Sequence, residues 1–80
     1  MTHDLTVLVR QGCHLCTEML HALEYLKSEL DFRYQVRDVD ADAALAATYG
    51  DRVPVLLAGA TELCCYFLDA ERLREYLRPA

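Results

Sequence analysis

Cys13 and Cys16 stand three residues apart with His14 and Leu15 between them, a spacing that lets two thiols close into a disulfide or reopen. At a helix start, Cys13 meets orphan backbone N–H groups and the positive end of the dipole, which favour thiolate over thiol. Cys16 falls one turn further in and is more shielded. That is the arrangement of a nucleophile that attacks a disulfide and a second thiol that resolves the mixed intermediate. Three other roles stay open for the pair: a structural bridge, half of a metal site, or two buried thiols. A zinc site needs four ligands, and Cys64 and Cys65, adjacent on a strand, point to opposite faces. An iron–sulfur cluster shared between subunits needs only this pair and an outside thiol.

Neighbouring residues offer chemistry of their own. A protonated His14 favours the Cys13 thiolate and makes it a better leaving group; otherwise His14 is a solvated histidine. Arg10, three residues before Cys13, lowers the thiolate pKa or binds an anion, or is simply a solvated strand-end arginine. Cys64 and Cys65 read as small buried hydrophobes, with oxidation or glutathionylation as the alternative if either is exposed. Tyr66 and Phe67 read as packing residues.

The elements that position these groups follow from hydrophobic period. Leu5 to Val9 is almost wholly apolar, as a central strand covered on both faces is. After Gln11-Gly12, Leu15, Met19, Leu23, Leu26 and Leu30 recur at steps of three and four, predicting a helix from about Cys13 to Leu30. Phe32 to Val39 alternates as a strand nearer an edge. Asp40 is a candidate N-cap for a short helix from Ala41 to Thr48, with Gly50 in a left-handed C-cap position. Val53 to Ala58 and Thr61 to Phe67, split by Gly59-Ala60, predict a β-hairpin. Asp69 can cap a last helix from Ala70 to Arg78, with Leu73, Tyr76 and Leu77 on one face and Pro79 after it.

Composition narrows the partners. Eighty residues make one domain, 1–80, and no segment approaches the roughly 18 apolar residues of a membrane span. Met1-Thr2-His3-Asp4 has no basic n-region and Leu5 to Val9 is shorter than a signal-peptide core, so a cytoplasmic protein is expected. A formal net charge of −5, with the basic residues scattered, argues against nucleic acid. Gly12, Gly50 and Gly59 form no phosphate-cradling cluster, so electrons must come from another thiol rather than a bound nucleotide or flavin.

The predicted order β-α-β-α-β-β-α is an α/β arrangement: a four-stranded mixed sheet, parallel crossover plus closing hairpin, flanked by helices. With Cys13-His14-Leu15-Cys16 after the first strand and Val53-Pro54 before the third, the chain resembles thioredoxin-fold proteins, and among them the small glutaredoxin-like bacterial proteins. The resemblance covers essentially the whole length. It implies a thiol–disulfide oxidoreductase acting on a protein disulfide or a glutathione mixed disulfide. It implies no tightly bound cofactor, no membrane partner and a monomer; the alternative is a non-catalytic binding module of the same fold, for an iron–sulfur cluster or a partner. It further implies a cis bond between Val53 and Pro54 whose backbone pairs with substrate; without it Pro54 is an ordinary strand-opening proline. Arg10 matches a basic position near the glutathione carboxylate, and Asp69 an acidic position that holds the γ-glutamyl amine or simply caps a helix. In one respect the chain departs from the pattern: Tyr66-Phe67 stand where glutaredoxins usually carry Gly-Gly, and bulky side chains block close approach of glutathione to the backbone.

Overall fold

The computed structural model describes residues 3–78, so Pro79 lies outside the described residues. The chain runs β1 (His3–Val9), α1 (His14–Leu26), β2 (Phe32–Asp38), α2 (Ala43–Tyr49), β3 (Val55–Ala58), β4 (Thr61–Cys65) and α3 (Ala70–Leu77). A single 3-10 turn, Val39–Ala41, joins β2 to α2. The strands form one mixed sheet in the order β2-β1-β3-β4. β1 pairs parallel with β2, and β3 pairs antiparallel with both β1 and β4.

β1 is central because both its faces bury apolar side chains. Leu5 and Val7 point into a core with Met19, Leu23 and Leu26 of α1 and Leu73 of α3. Leu8 faces the other way, onto Val55 and Leu57, where Leu45 and Tyr49 of α2 cover the sheet. One sheet thus separates two helices from one, and the period-2 alternation of β1 and β3 decides which side chain goes where. Among the described residues no helix is long and apolar enough to cross a membrane.

Several element ends differ from the sequence expectation, each for a local reason. α1 stops at Leu26, not Leu30, because Lys27–Leu30 tighten: Ser28 N–H bonds Tyr25 O, Glu29 N–H bonds Leu26 O, and the Ser28 hydroxyl also takes Tyr25 O. Leu30 still packs on the core. β2 ends at Asp38, whose carboxylate accepts the Asp40 N–H and turns the chain so that Val39 is fully buried. The α2 cap is therefore Asp42, two residues beyond Asp40, with Oδ1 accepting from Ala44 and Leu45 N–H. Asp42→Ala should cost about 1 kcal/mol and lower the melting temperature by about 4–8 °C, read by thermal denaturation. On α3, Leu73 is buried and Leu77 partly so, but Tyr76 is exposed and sets its ring edge-on to His3, 5.5 Å between centroids.

β4 ends at Cys65, short of Phe67. Leu56 pairs with Cys64 and Leu57 with Glu62, so Leu63 is the extra residue of a bulge. Both Leu63 and Cys64 consequently pack toward the α1/α3 core, while Cys65 packs toward α2.

Candidate active site

The end of β1 leads straight into the cysteine pair. Cys13 N–H bonds Arg10 O at 3.2 Å, closing a turn in which Gly12 takes φ 79°, the left-handed value that glycine adopts without cost. That turn delivers Cys13 as the N-cap of α1, where its sulfur accepts the Cys16 N–H at 3.1 Å. Cys13 and Cys16 are joined as a disulfide, their Cα atoms 5.2 Å apart. Cys13 is half-buried and Cys16 only 3% exposed. A shallow cleft opens over the pair, walled by Val9, Arg10, Gly12, His14, Thr17 and Leu20. Once the disulfide opens, a helix N-terminus with no acidic residue in its first turn and one N–H aimed at the sulfur favours a thiolate on Cys13.

Val53-Pro54 comes to the same end of the sheet. Leu8 pairs with Val55 across the antiparallel β1–β3 ladder, so the residues before Val55 run alongside those after Leu8. The Val53–Pro54 bond is cis and Pro54 is fully buried.

Arg10 borders the cleft, but its guanidinium is turned to internal partners. Nε and Nη2 form a fork on Asp40, at 2.9 and 3.0 Å, and Nη1 donates to Gly50 O at 2.9 Å. The Arg10 hydrogen bonds and charge hold the Asp40 carboxyl below the usual aspartate range. Because the folded value is depressed, whatever the pair contributes is present at neutral pH and lost as acid takes the pH down through that value. Gly50 is buried and right-handed, φ −57°, not the left-handed cap expected. Its role is space: a Cβ there would stand 2.9 Å from Arg10 Nη2 and 2.5 Å from Ala46 O.

His14 is 89% exposed, with Nε2 3.9 Å from Glu18. Asp69 caps α3, its Oδ1 accepting the Arg72 N–H at 3.0 Å. Burial pushes the Cys64 thiol up, against the opposing pull of the Asp69 backbone. In reduced, folded protein at pH 8, Cys64 should therefore alkylate several times more slowly than Cys13, read residue by residue by mass spectrometry. Among the described residues no three His, Cys, Asp or Glu side chains gather as a metal-binding group.

Tyr66 and Phe67 are 42% and 68% exposed, not packing residues. Tyr66 N–H bonds Pro54 O at 2.9 Å and its hydroxyl donates to Asp51 O at 2.8 Å. Phe67 N–H returns to Cys65 O at 2.7 Å, which puts Tyr66 at φ 67°. For a residue with a side chain that conformation costs about 1–2 kcal/mol. It falls at a position where the resembled pattern has glycine, the one sequence signal that marked it. Asp40 and Gly50 as partners of Arg10 had no such signal.

A mixed four-stranded sheet between helices, with a Cys-X-X-Cys pair capping the first helix and a cis-proline at the neighbouring strand, defines a thioredoxin-like α/β fold. The chain belongs to the family described as glutaredoxin-like domain (DUF836), whose profile matches residues 4–78. It is similar to the solution structure of protein Ne2328 from Nitrosomonas europaea, 41% identical with a TM-score of 0.89 over 98% of this chain and 94% of that one. A mutant thioredoxin from Halobacterium salinarum is 28% identical, with a TM-score of 0.59 over 92% of this chain and 70% of its own. The uncharacterized protein Rv0508 of Mycobacterium tuberculosis is 38% identical over 76 residues, 89% of this chain and 78% of that protein.

Proposed function

We propose that this protein is a thiol–disulfide oxidoreductase in which Cys13 is the nucleophile and Cys16 the resolving thiol. The observation that carries the reading is the asymmetry of the pair: a half-buried cysteine at a helix N-cap, its sulfur accepting an N–H, bonded to a cysteine that is only 3% exposed. The Cys13 thiolate attacks one sulfur of a substrate disulfide, forming a mixed disulfide and expelling the other substrate sulfur as thiolate. Cys16 then loses its proton and attacks Cys13 Sγ, releasing the second substrate thiolate and leaving the Cys13–Cys16 disulfide. Two electrons have passed to the substrate. External thiols return them by the reverse exchange, so no tightly bound cofactor is required, and a monomer in a thiol-reducing compartment such as the cytoplasm suffices.

The test is the reduction potential of the pair. Protein is equilibrated in graded glutathione buffers and alkylated, with Cys64 and Cys65 mapped separately. A reversible two-electron transition between about −270 and −120 mV is expected, the range of known redox proteins. Absence of any exchange at Cys13 and Cys16 overturns the reading.

A further inference from the structure

Among the described residues that wall the cleft over the cysteine pair, Arg10 alone carries a fixed charge. A disulfide bearing carboxylates would meet that cation on its way to Cys13, yet the cation is already answered from within the chain. β1 and β2 run parallel with Val9 opposite Asp38, so the residues that follow each strand come out side by side. Asp40 N–H bonds Asp38 Oδ1 and Val39 is fully buried, which fixes the Asp40 carboxylate where it faces the guanidinium. That carboxylate takes Nε and Nη2 at 2.9 and 3.0 Å, and Gly50 O takes Nη1 at 2.9 Å, so each guanidinium nitrogen has a partner. Asp38 adds a weaker pull of the same sign.

The Arg10 and Asp40 side chains are 40% and 52% exposed, and an ion pair so open to water adds little to stability. Its larger consequence is for the field at Cys13. A two-pronged fork holds the guanidinium in one place and offsets its charge at the cleft. What an incoming anion then meets is the chain's formal net charge of −5, which repels it.

We infer that Asp40 is a specificity-determining residue: by neutralising Arg10 it makes the cysteine pair select uncharged and basic disulfides over anionic ones. This rests on Cys13 and Cys16 being the redox pair. A glutathionyl group, with two carboxylates and one ammonium, falls on the disfavoured side; a polypeptide disulfide with no acidic residue beside it does not. Asp40 takes no part in the exchange of sulfurs.

The test uses the reduced full-length chain in single turnover with three small disulfides: hydroxyethyl disulfide, which is uncharged, cystamine, with two ammonium groups, and dithiodipropionate, with two carboxylates. Each exchange oxidises the protein dithiol to its disulfide and reduces the substrate to two thiols. Each rate is divided by that of the same disulfide with mercaptoethanol at the same pH and salt, which removes the intrinsic reactivity of the substrate. In the native protein the normalised rate of dithiodipropionate should be the lowest of the three, and it should rise with salt as repulsion is screened. Asp40→Asn uncovers Arg10 and should raise the ratio of dithiodipropionate to hydroxyethyl disulfide about fivefold at low salt, a gain lost at about 0.5 M salt. Adding Arg10→Met to Asp40→Asn should return the ratio to near its native value. Asp4→Asn, which removes the same charge and uncovers Arg33 at the opposite end of β1, should leave the ratio unchanged. A native ratio in Asp40→Asn, or an equal rise in Asp4→Asn, overturns the role of Asp40 while leaving the redox pair standing. So does a native protein that is fastest with dithiodipropionate, or whose dithiodipropionate rate falls with salt, and neither outcome needs a variant to fold. A native protein inert toward all three disulfides overturns the redox reading and the role of Asp40 with it.

Discussion

Cys13→Ser is expected to lower disulfide exchange by on the order of a thousandfold or more, whereas Cys16→Ser should still attack and then stall. The difference follows from where each sulfur sits. Cys13 is the reachable one, capping α1 with the Cys16 N–H on its sulfur, and a serine hydroxyl in that place stays protonated and cannot displace a thiolate. Cys16, 3% exposed, has no direct line to an incoming disulfide. Its removal therefore spares the first step and abolishes the second, so a covalent adduct accumulates. The intact mass of Cys16→Ser after exposure to glutathione disulfide or a peptide disulfide should show one substrate thiol added, reversible with dithiothreitol. Cys13→Ser under the same conditions should show none at Cys16. Adduct formation at Cys16 in Cys13→Ser, at a rate near that of the native pair, would reverse the assigned roles. The alkylation rate of Cys13 should also rise with pH through a midpoint below the roughly 8.5 of an ordinary cysteine, because the N-cap stabilises the charged form.

The placement of Cys13 at the start of α1 was legible in the sequence because its causes are local. An apolar run, a glycine turn and a 3.6-period stripe place Cys13 at a helix start without help from distant residues. The same applies to the order of the elements and to the central position of β1. What the sequence hid depends on residues far apart. The Arg10 fork on Asp40 spans 30 positions and its bond to Gly50 spans 40, and nothing in the composition of either segment points to the other. Gly50 was misread for the same reason. A glycine after a short helix ordinarily supplies a left-handed cap, but here it clears room for a guanidinium, which no local rule registers. Asp42 caps α2 in place of the expected Asp40, because the chain makes an extra turn that buries Val39 before the helix begins. Tyr66 and Phe67 looked like core because they continue an apolar run. The turn that closes at Phe67 N–H ends the strand first and leaves both rings outside.

The Arg10–Gly50 contact carries the second large expectation. Gly50→Ala keeps a right-handed φ that alanine tolerates, so backbone preference alone predicts a neutral or stabilising change. Packing predicts the opposite. The new Cβ would stand 2.5 Å from the Ala46 carbonyl oxygen, a backbone atom that cannot swing aside, and 2.9 Å from Arg10 Nη2. Relieving the first contact shifts the end of α2, and relieving the second withdraws the guanidinium from Gly50 O. An overpacked site of this kind costs about 1–3 kcal/mol, a large share of the stability of a domain this small. Urea denaturation of Gly50→Ala should show a lower midpoint at an unchanged slope. The two contacts can be separated by a cycle with Arg10→Met, which removes the guanidinium fork. If the arginine is part of the conflict, Gly50→Ala should cost less in the Arg10→Met background than alone, and equal costs would assign the whole effect to the Ala46 carbonyl. The consequence should also reach the cysteines, since Arg10 O receives the Cys13 N–H while the Arg10 side chain anchors that turn to α2. A loosened anchor leaves Cys13 less firmly placed at the helix cap, so Gly50→Ala should slow alkylation of Cys13 at neutral pH while leaving Cys64 unchanged. A variant that loses stability yet keeps the native Cys13 rate would show that the strut holds the fold and not the nucleophile.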